Sequence, residues 1–254
     1  MLNNMELKDI QEIESKYYMR PILEKINSLL PDNQDAKKEF VKNSFNHIYE
    51  YVITSKEDVE AIIQQRKDNG YISDTKQAAK TVVGSIFSNT IVWIFLKNKE
   101  VGNIDDNIYI TSHKKRVPNN AELFTINVGE ETQKPDMDLA VYSLNEDQSL
   151  KKCMILSLKT SLRERAGQTY KWKLLMEIAN SASDIKERYN IEYNPPVNPV
   201  VCFATINFYD EINNPQHRGM FKFFDCAFIG KNIETGDFIK PLSYLIDYTR
   251  EILL

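Results

Sequence analysis

Apolar residues recur every three to four positions through the first hundred residues, and then the spacing shortens towards two or closes into unbroken runs. Leu7, Ile10, Ile13, Tyr17 and Tyr18 mark one helical face, which Ile22, Leu23, Ile26, Leu29 and Leu30 continue after Pro21; Pro31-Asp32 ends the run. Phe40, Val41, Phe45, Ile48, Val52 and Ile53 predict a second helix from Asp35 to Thr54. Ser55-Lys56-Glu57-Asp58 is an N-cap signature for a third, with Val59, Ile62 and Ile63 inward and Asn69-Gly70 as its stop. Asp74 to Lys97 predicts one long helix, amphipathic at first and then apolar nearly all round from Ile91 to Leu96, a pattern expected against a sheet core.

From Ile104 onward the pattern favours strands. Ile108-Tyr109-Ile110 and the run from Leu123 to Val128 read as two, joined by the basic loop His113-Lys114-Lys115-Arg116. The runs Leu139 to Tyr142 and Cys153 to Leu156 form a hairpin, with Asn145 to Lys152 as its loop. A helix follows from near Ser161 to about Tyr189, with Leu174, Leu175, Ile178, Ala179, Ala182 and Ile185 as its buried stripe, and Asn194-Pro195-Pro196 breaks the pattern. Pro199 to Phe208 is continuously apolar, as in a strand covered on both faces. A polar loop from Asp210 to Gly219, a strand from Phe223 to Ile229 and a closing helix from Leu242 complete the chain. This order predicts an α/β fold, a mixed central sheet flanked by helices, with residues 1–70 as a helical N-terminal layer for packing or dimerisation and 71–254 as the core.

At 254 residues and 42% hydrophobic, the chain can bury one good core. A net charge of −4 argues against a generic polyanion binder, since such affinity comes from neutralising phosphates. The charge is unevenly spread, however. Between Lys151 and Lys173 lie Lys151, Lys152, Lys159, Arg163, Arg165, Lys171 and Lys173 against the single acid Glu164, a local +6. Cys153, Cys202 and Cys226 have no metal-ligand spacing and read as buried thiols in a reducing compartment. No apolar run of membrane-spanning length and no signal-peptide pattern stand out, so the expected location is cytoplasmic.

The basic stretch contains the candidate chemistry. Asp136 opens the first strand of the hairpin and Lys159 closes the second, and in an antiparallel pair those two ends lie side by side. An aspartate offers hard oxygen to Mg²⁺, and a lysine can polarise a water or meet non-bridging phosphate oxygens. With an arginine-rich helix start immediately beyond, the pairing suits phosphodiester hydrolysis. His113 and His217 have no second imidazole or carboxylate spaced to make a ligand pair.

Pro135-Asp136, followed by a strand ending Ser157-Leu158-Lys159, resembles the signature of the PD-(D/E)xK nucleases, and specifically of type II restriction endonucleases. The passage ILSLKTSLRERAGQTYKW is similar to the BsaWI-like branch that reads GC cores such as CCGG. The motif-level likeness covers residues 134–177. It implies a Mg²⁺-dependent enzyme that cuts double-stranded DNA at a short palindrome containing GC pairs, acting as a homodimer or larger even assembly. Carried over, Asp136 is the metal-binding aspartate, Lys159 the catalytic lysine, and Arg163, Glu164 and Arg165 enter the major groove, with Gln168, Lys171 and Lys173 positioning the DNA. Ser157 stands where many relatives have the third acid. In this branch Ser157 belongs to the catalytic set and a glutamate on the following helix supplies the missing ligand; the expected place is Lys173, so the nearest acid, Glu177, is expected to be the second metal ligand beside Asp136, with Asp138 as its competitor. The alternatives are a sequence-specific DNA-binding module without catalysis and a structure-specific repair nuclease of the same fold.

Overall fold

Short polar residues set the helix boundaries of the first hundred positions. A computed structural model describes residues 1–254 apart from 136, 235 and 237, and over 163–169 it describes the backbone alone. Asn3 and Glu6 form a reciprocal capping box at the start of α1 (Asn4–Ser15), and Pro21 occupies the first turn of α2 (Arg20–Ser28). Asn33 caps α3 (Gln34–Asn43), and a 3-10 turn, Ser44–His47, divides the predicted second helix before α4 (Ile48–Thr54). α5 (Lys56–Asp68) begins where expected, yet Ser55 does not cap it: its hydroxyl is buried without a hydrogen-bond partner. Asp74 caps α6 (Thr75–Glu100) through the Lys76 and Gln77 N–H groups.

These helices form one compact unit, Met1–Asp106 with Ile229–Glu234 and Pro241–Asp247. The unit runs on to Asp106. The reason is α6, whose apolar circumference is met by α1, α3, α4 and α5. α6 is long and apolar enough to cross a membrane by length and composition, which the residue pattern had not suggested, but 56% of that stretch is buried inside protein. Near its end Lys99, with no exposed side-chain surface, pairs with Glu6 at 2.6 Å.

The second unit, Asn107–Phe228 with two short C-terminal stretches, holds the sheet. Among the described residues six strands line up in the order β1-β4-β5-β7-β8-β9: β1 (Ile108–Thr111), β4 (Leu139–Leu144), β5 (Leu150–Lys159), β7 (Val200–Thr205), β8 (Cys226–Ile229) and β9 (Ile239–Pro241). β4 is antiparallel to β1 and β5, with Leu139 opposite Leu156, while β5 and β7 run parallel, with Lys159 beside Thr205. The sheet is mixed, as expected. A small second sheet joins β3 (Glu131–Gln133), β2 (Ile126–Val128) and β6 (Ile191–Glu192).

Several elements depart from the apolar pattern. The predicted strand from Leu123 shortens to β2 because α7 (Asn120–Leu123) takes its first residue. The helix after Lys159 is two helices, α8 (Arg163–Ala179) and α9 (Asp184–Tyr189), the second capped by the Ser183 hydroxyl. That cap breaks the phase: Met176 and Ala179 are buried, whereas Ala182 is exposed and Ile185 is half exposed. The polar loop after Asp210 contains a 3-10 turn, Glu211–Asn213, and α10 (Pro215–Met220), started by Asn214 as cap and Pro215 in the first turn. α11 (Tyr244–Leu253) closes the chain.

All three cysteines are free and buried. Burial pushes the Cys153 thiol up to about 12 and Cys226 up to about 11, and holds Cys202 well above the usual thiol range. Thiolate is the reactive form, so a disulfide reagent at pH 8 should label none of the three in the native protein and all three after denaturation. A folded-state pKa raised above the unfolded value also gives a signed pH effect. The stability contribution is full below the unfolded pKa of ~8.5 and is lost as pH rises through the folded values. The urea midpoint should therefore fall between pH 7.5 and pH 10.5.

Candidate active site

The sheet brings a carboxylate and an ammonium together at the end of β5. Asp138 lies one residue before β4, whose first pair, Leu139 with Leu156, sets it beside the last residues of β5. Its Oδ2 accepts the Leu158 N–H at 2.7 Å and the Lys159 Nζ at 3.0 Å. Lys159 is 12% exposed and Asp138 31%, so the pair sits at a rim that solvent and a ligand can reach. Ser157 shares the Lys159 face of the strand one step deeper and is fully buried. Asp136 lies outside the described residues, as do the side chains of Arg163, Glu164, Arg165 and Gln168. Beside that position, the Lys114 ammonium donates to the Pro135 carbonyl at 3.1 Å. The basic loop thus has one lysine engaged in holding the Pro135 turn.

The parallel neighbour contributes a structured loop. Thr205, paired with Lys159, accepts the Asn207 N–H on its hydroxyl at 2.9 Å. Asn207 has φ 48° and receives the Ile212 N–H on its side-chain oxygen at 3.0 Å, which closes a turn around Asp210, itself at φ 54°. This loop reaches back twice: the Phe208 N–H donates to the Thr160 carbonyl at 3.0 Å, and Glu211 accepts the Leu162 N–H at 2.5 Å. Nothing in the apolar pattern marked Glu211, since its partner is 49 residues away.

Helix α8 carries the remaining candidates away from Lys159. Lys173 meets both oxygens of Asp225 at 2.8 Å and Glu177 at 3.3 Å. Asp225 in turn accepts the Val201 N–H at 2.8 Å, and Val201 pairs with Ile155. Ile155 is four residues before Lys159, about 13 Å along the strand at the usual rise. Lys173 is therefore held at the far part of the sheet, and Glu177, one turn further along α8, lies beyond it. Glu177, the expected second metal ligand, pairs here with Lys173, and its side chain is 56% exposed. Lys171 is exposed, and Tyr170 stacks on Phe223 at 5.0 Å.

One carboxylate at this rim has the hard-oxygen chemistry that a magnesium ion takes. Mg²⁺ takes hard oxygen and commonly binds through one or two carboxylates, with phosphate oxygens and waters completing its shell. Asp138 supplies such a carboxylate at the rim. Among the described residues no group of three or more acidic, histidine or cysteine side chains gathers to hold a metal ion, here or elsewhere. A cation at this point would find the Lys159 ammonium beside it, the arrangement needed where charge develops on a phosphate.

A family model described as BsaWI restriction endonuclease type 2 matches residues 109–248, which is just over half of the chain and takes in Asp138, Lys159 and Glu211. No curated protein matches the chain.

Proposed function

Because the chain belongs to the BsaWI family of type II restriction endonucleases, and so is a site-specific deoxyribonuclease of double-stranded DNA, we propose that it makes a Mg²⁺-dependent cut in both strands of a short palindrome with a GC core, CCGG-like. The observation that carries the proposal is the Asp138–Lys159 pair, 3.0 Å apart at the rim of the sheet, with the arginine-rich start of α8 four residues on.

Asp138 and Asp136 would hold the metal, which when bound supplies Lewis acidity towards the phosphate oxygens. Lys159 orients the attacking water and meets the charge that grows on the phosphate. Asp138 keeps the Lys159 ammonium aimed by accepting a hydrogen bond from it. Arg163 and Arg165 suit bidentate donation to guanine O6 and N7, and Glu164 suits acceptance from cytosine N4. A two-fold palindrome is matched by a two-fold protein, so the working form is a homodimer or a larger even assembly, with the N-terminal helices as partner surface. Buried, protonated thiols agree with a cytoplasmic location.

Incubation with phage DNA tests the reading. Discrete fragments in Mg²⁺, none in EDTA, and ends that map to one palindrome are the expected result. A smear, or fragments that track DNA structure rather than sequence, would overturn it.

A further inference from the structure

The three residues between Lys159 and Arg163 are held from outside. Thr160 offers its carbonyl to the Phe208 N–H, and Leu162 gives its N–H to the Glu211 carboxylate. Both partners belong to the single loop that leaves β7 at Thr205, the residue paired with Lys159. That loop is itself stiffened: Asn207 and Asp210 sit in the left-handed region, and the Asn207 side chain ties the loop to Ile212. Helices usually take their first acceptor from a Ser, Thr, Asp or Asn at the cap, which stabilises the helix but says nothing of its place. Here the cap position of α8 is Leu162, fully buried, and it makes no side-chain cap bond. The acceptor comes instead from a loop rooted beside the candidate catalytic lysine.

We propose that Glu211 is a positioning residue for sequence discrimination: it fixes where α8 begins relative to Lys159, and so where the Arg163-Glu164-Arg165 turn meets the bases when the scissile phosphate is at Lys159. The proposal rests on the base-reading role assigned to that turn. A shift of the helix start would leave Lys159 and Asp138 in place, because their bonds lie within the β4–β5 pair. It would misplace contacts that separate the correct base pair from a wrong one. The carboxylate makes the bond charge-assisted, and a glutamine keeps an acceptor while losing the charge.

The experiment uses the full chain with Mg²⁺ and duplexes that carry either the mapped site or single-base variants of it. Cleavage rates are measured for wild type, Glu211→Gln, Glu211→Ala and Arg163→Ala. Glu211→Ala is expected to lose about tenfold of the ratio between correct and variant sites, the scale of one displaced base contact, and Glu211→Gln an intermediate amount, with correct-site cleavage reduced less than the ratio. If correct and variant rates fall together in both Glu211 variants while Arg163→Ala collapses the ratio, Glu211 is a structural cap only and the proposal is overturned. An unchanged ratio in Arg163→Ala as well would overturn the base reading, and the proposal with it. Should Glu211→Ala fail to fold, the glutamine variant decides by the same ratio.

Discussion

Lys159→Ala should bind its DNA site and melt near the wild-type temperature, but cut about 10²–10³-fold more slowly, the range for loss of one preorganised donor at a developing charge. The fold should survive because the Lys159 side chain is tied to its surroundings at a rim. Its partner Asp138 keeps the Leu158 N–H when the ammonium is removed. Asp138 is 31% exposed, so losing the ion pair costs stability on the order of 1 kcal/mol or less. Lys159→Arg should not rescue cleavage, since a planar guanidinium cannot take the place of a compact ammonium 3.0 Å from one carboxylate oxygen. Single-turnover cleavage beside a gel shift and a thermal melt separates the effects. Cutting by Lys159→Ala within tenfold of wild type would remove the lysine from the chemistry.

Where one periodicity ran unbroken, the residues announced their structure. The hairpin and the continuous apolar run of β7 were readable because strands buried on both faces admit little but Val, Ile, Leu, Phe and Ala. The departures arose where a short polar side chain outbid the apolar spacing. Ser183 restarts a helix inside what reads as one long stripe, and Asn214-Pro215 opens α10 inside a polar loop. The hydrophobic phase carries no record of such caps. α6 was legible as a buried helix, although an all-round apolar surface does not name its partners.

The site shows the same division. Its location followed from one antiparallel register and the position of Lys159, both local facts. Of its carboxylates, Asp138 was readable only as a competitor, because which acid faces Lys159 depends on sub-residue geometry at the mouth of β4, and Asp136 lies outside the described residues. Glu211 was invisible for a different reason: its bond to Leu162 spans two helices and two strands, and no spacing rule connects positions so separated. Lys173 counted towards the +6 cluster as a phosphate contact, yet Asp225 and Glu177 both engage it. Formal charge along a sequence overstates the charge available at a surface whenever such pairs form.

Which acid serves the metal is decided by comparing two positions. Asp138→Ala should lower cleavage by about 10²–10³-fold, while Glu177→Ala should stay within about twofold. The second expectation follows from geometry: Glu177 pairs with Lys173, and Lys173 retains Asp225 when Glu177 is gone. The bond is also exposed, and such pairs contribute little. Asp138 has two tasks that a third variant separates. Asparagine still offers an oxygen to the Leu158 N–H, so Asp138→Asn should restore the stability that alanine loses. It cannot restore a negative charge for a hard divalent cation. The asparagine variant should therefore need more Mg²⁺ for half-maximal rate than wild type and remain slow at saturation, although it is folded. If instead Asp138→Asn cuts at the wild-type rate with an unchanged Mg²⁺ dependence, Asp138 only positions Lys159, and the metal carboxylates must be sought at Asp136 and elsewhere. A collapse of activity in Glu177→Ala would mean that α8 lies differently when DNA is bound, with its Lys173–Asp225 tie to Val201 broken.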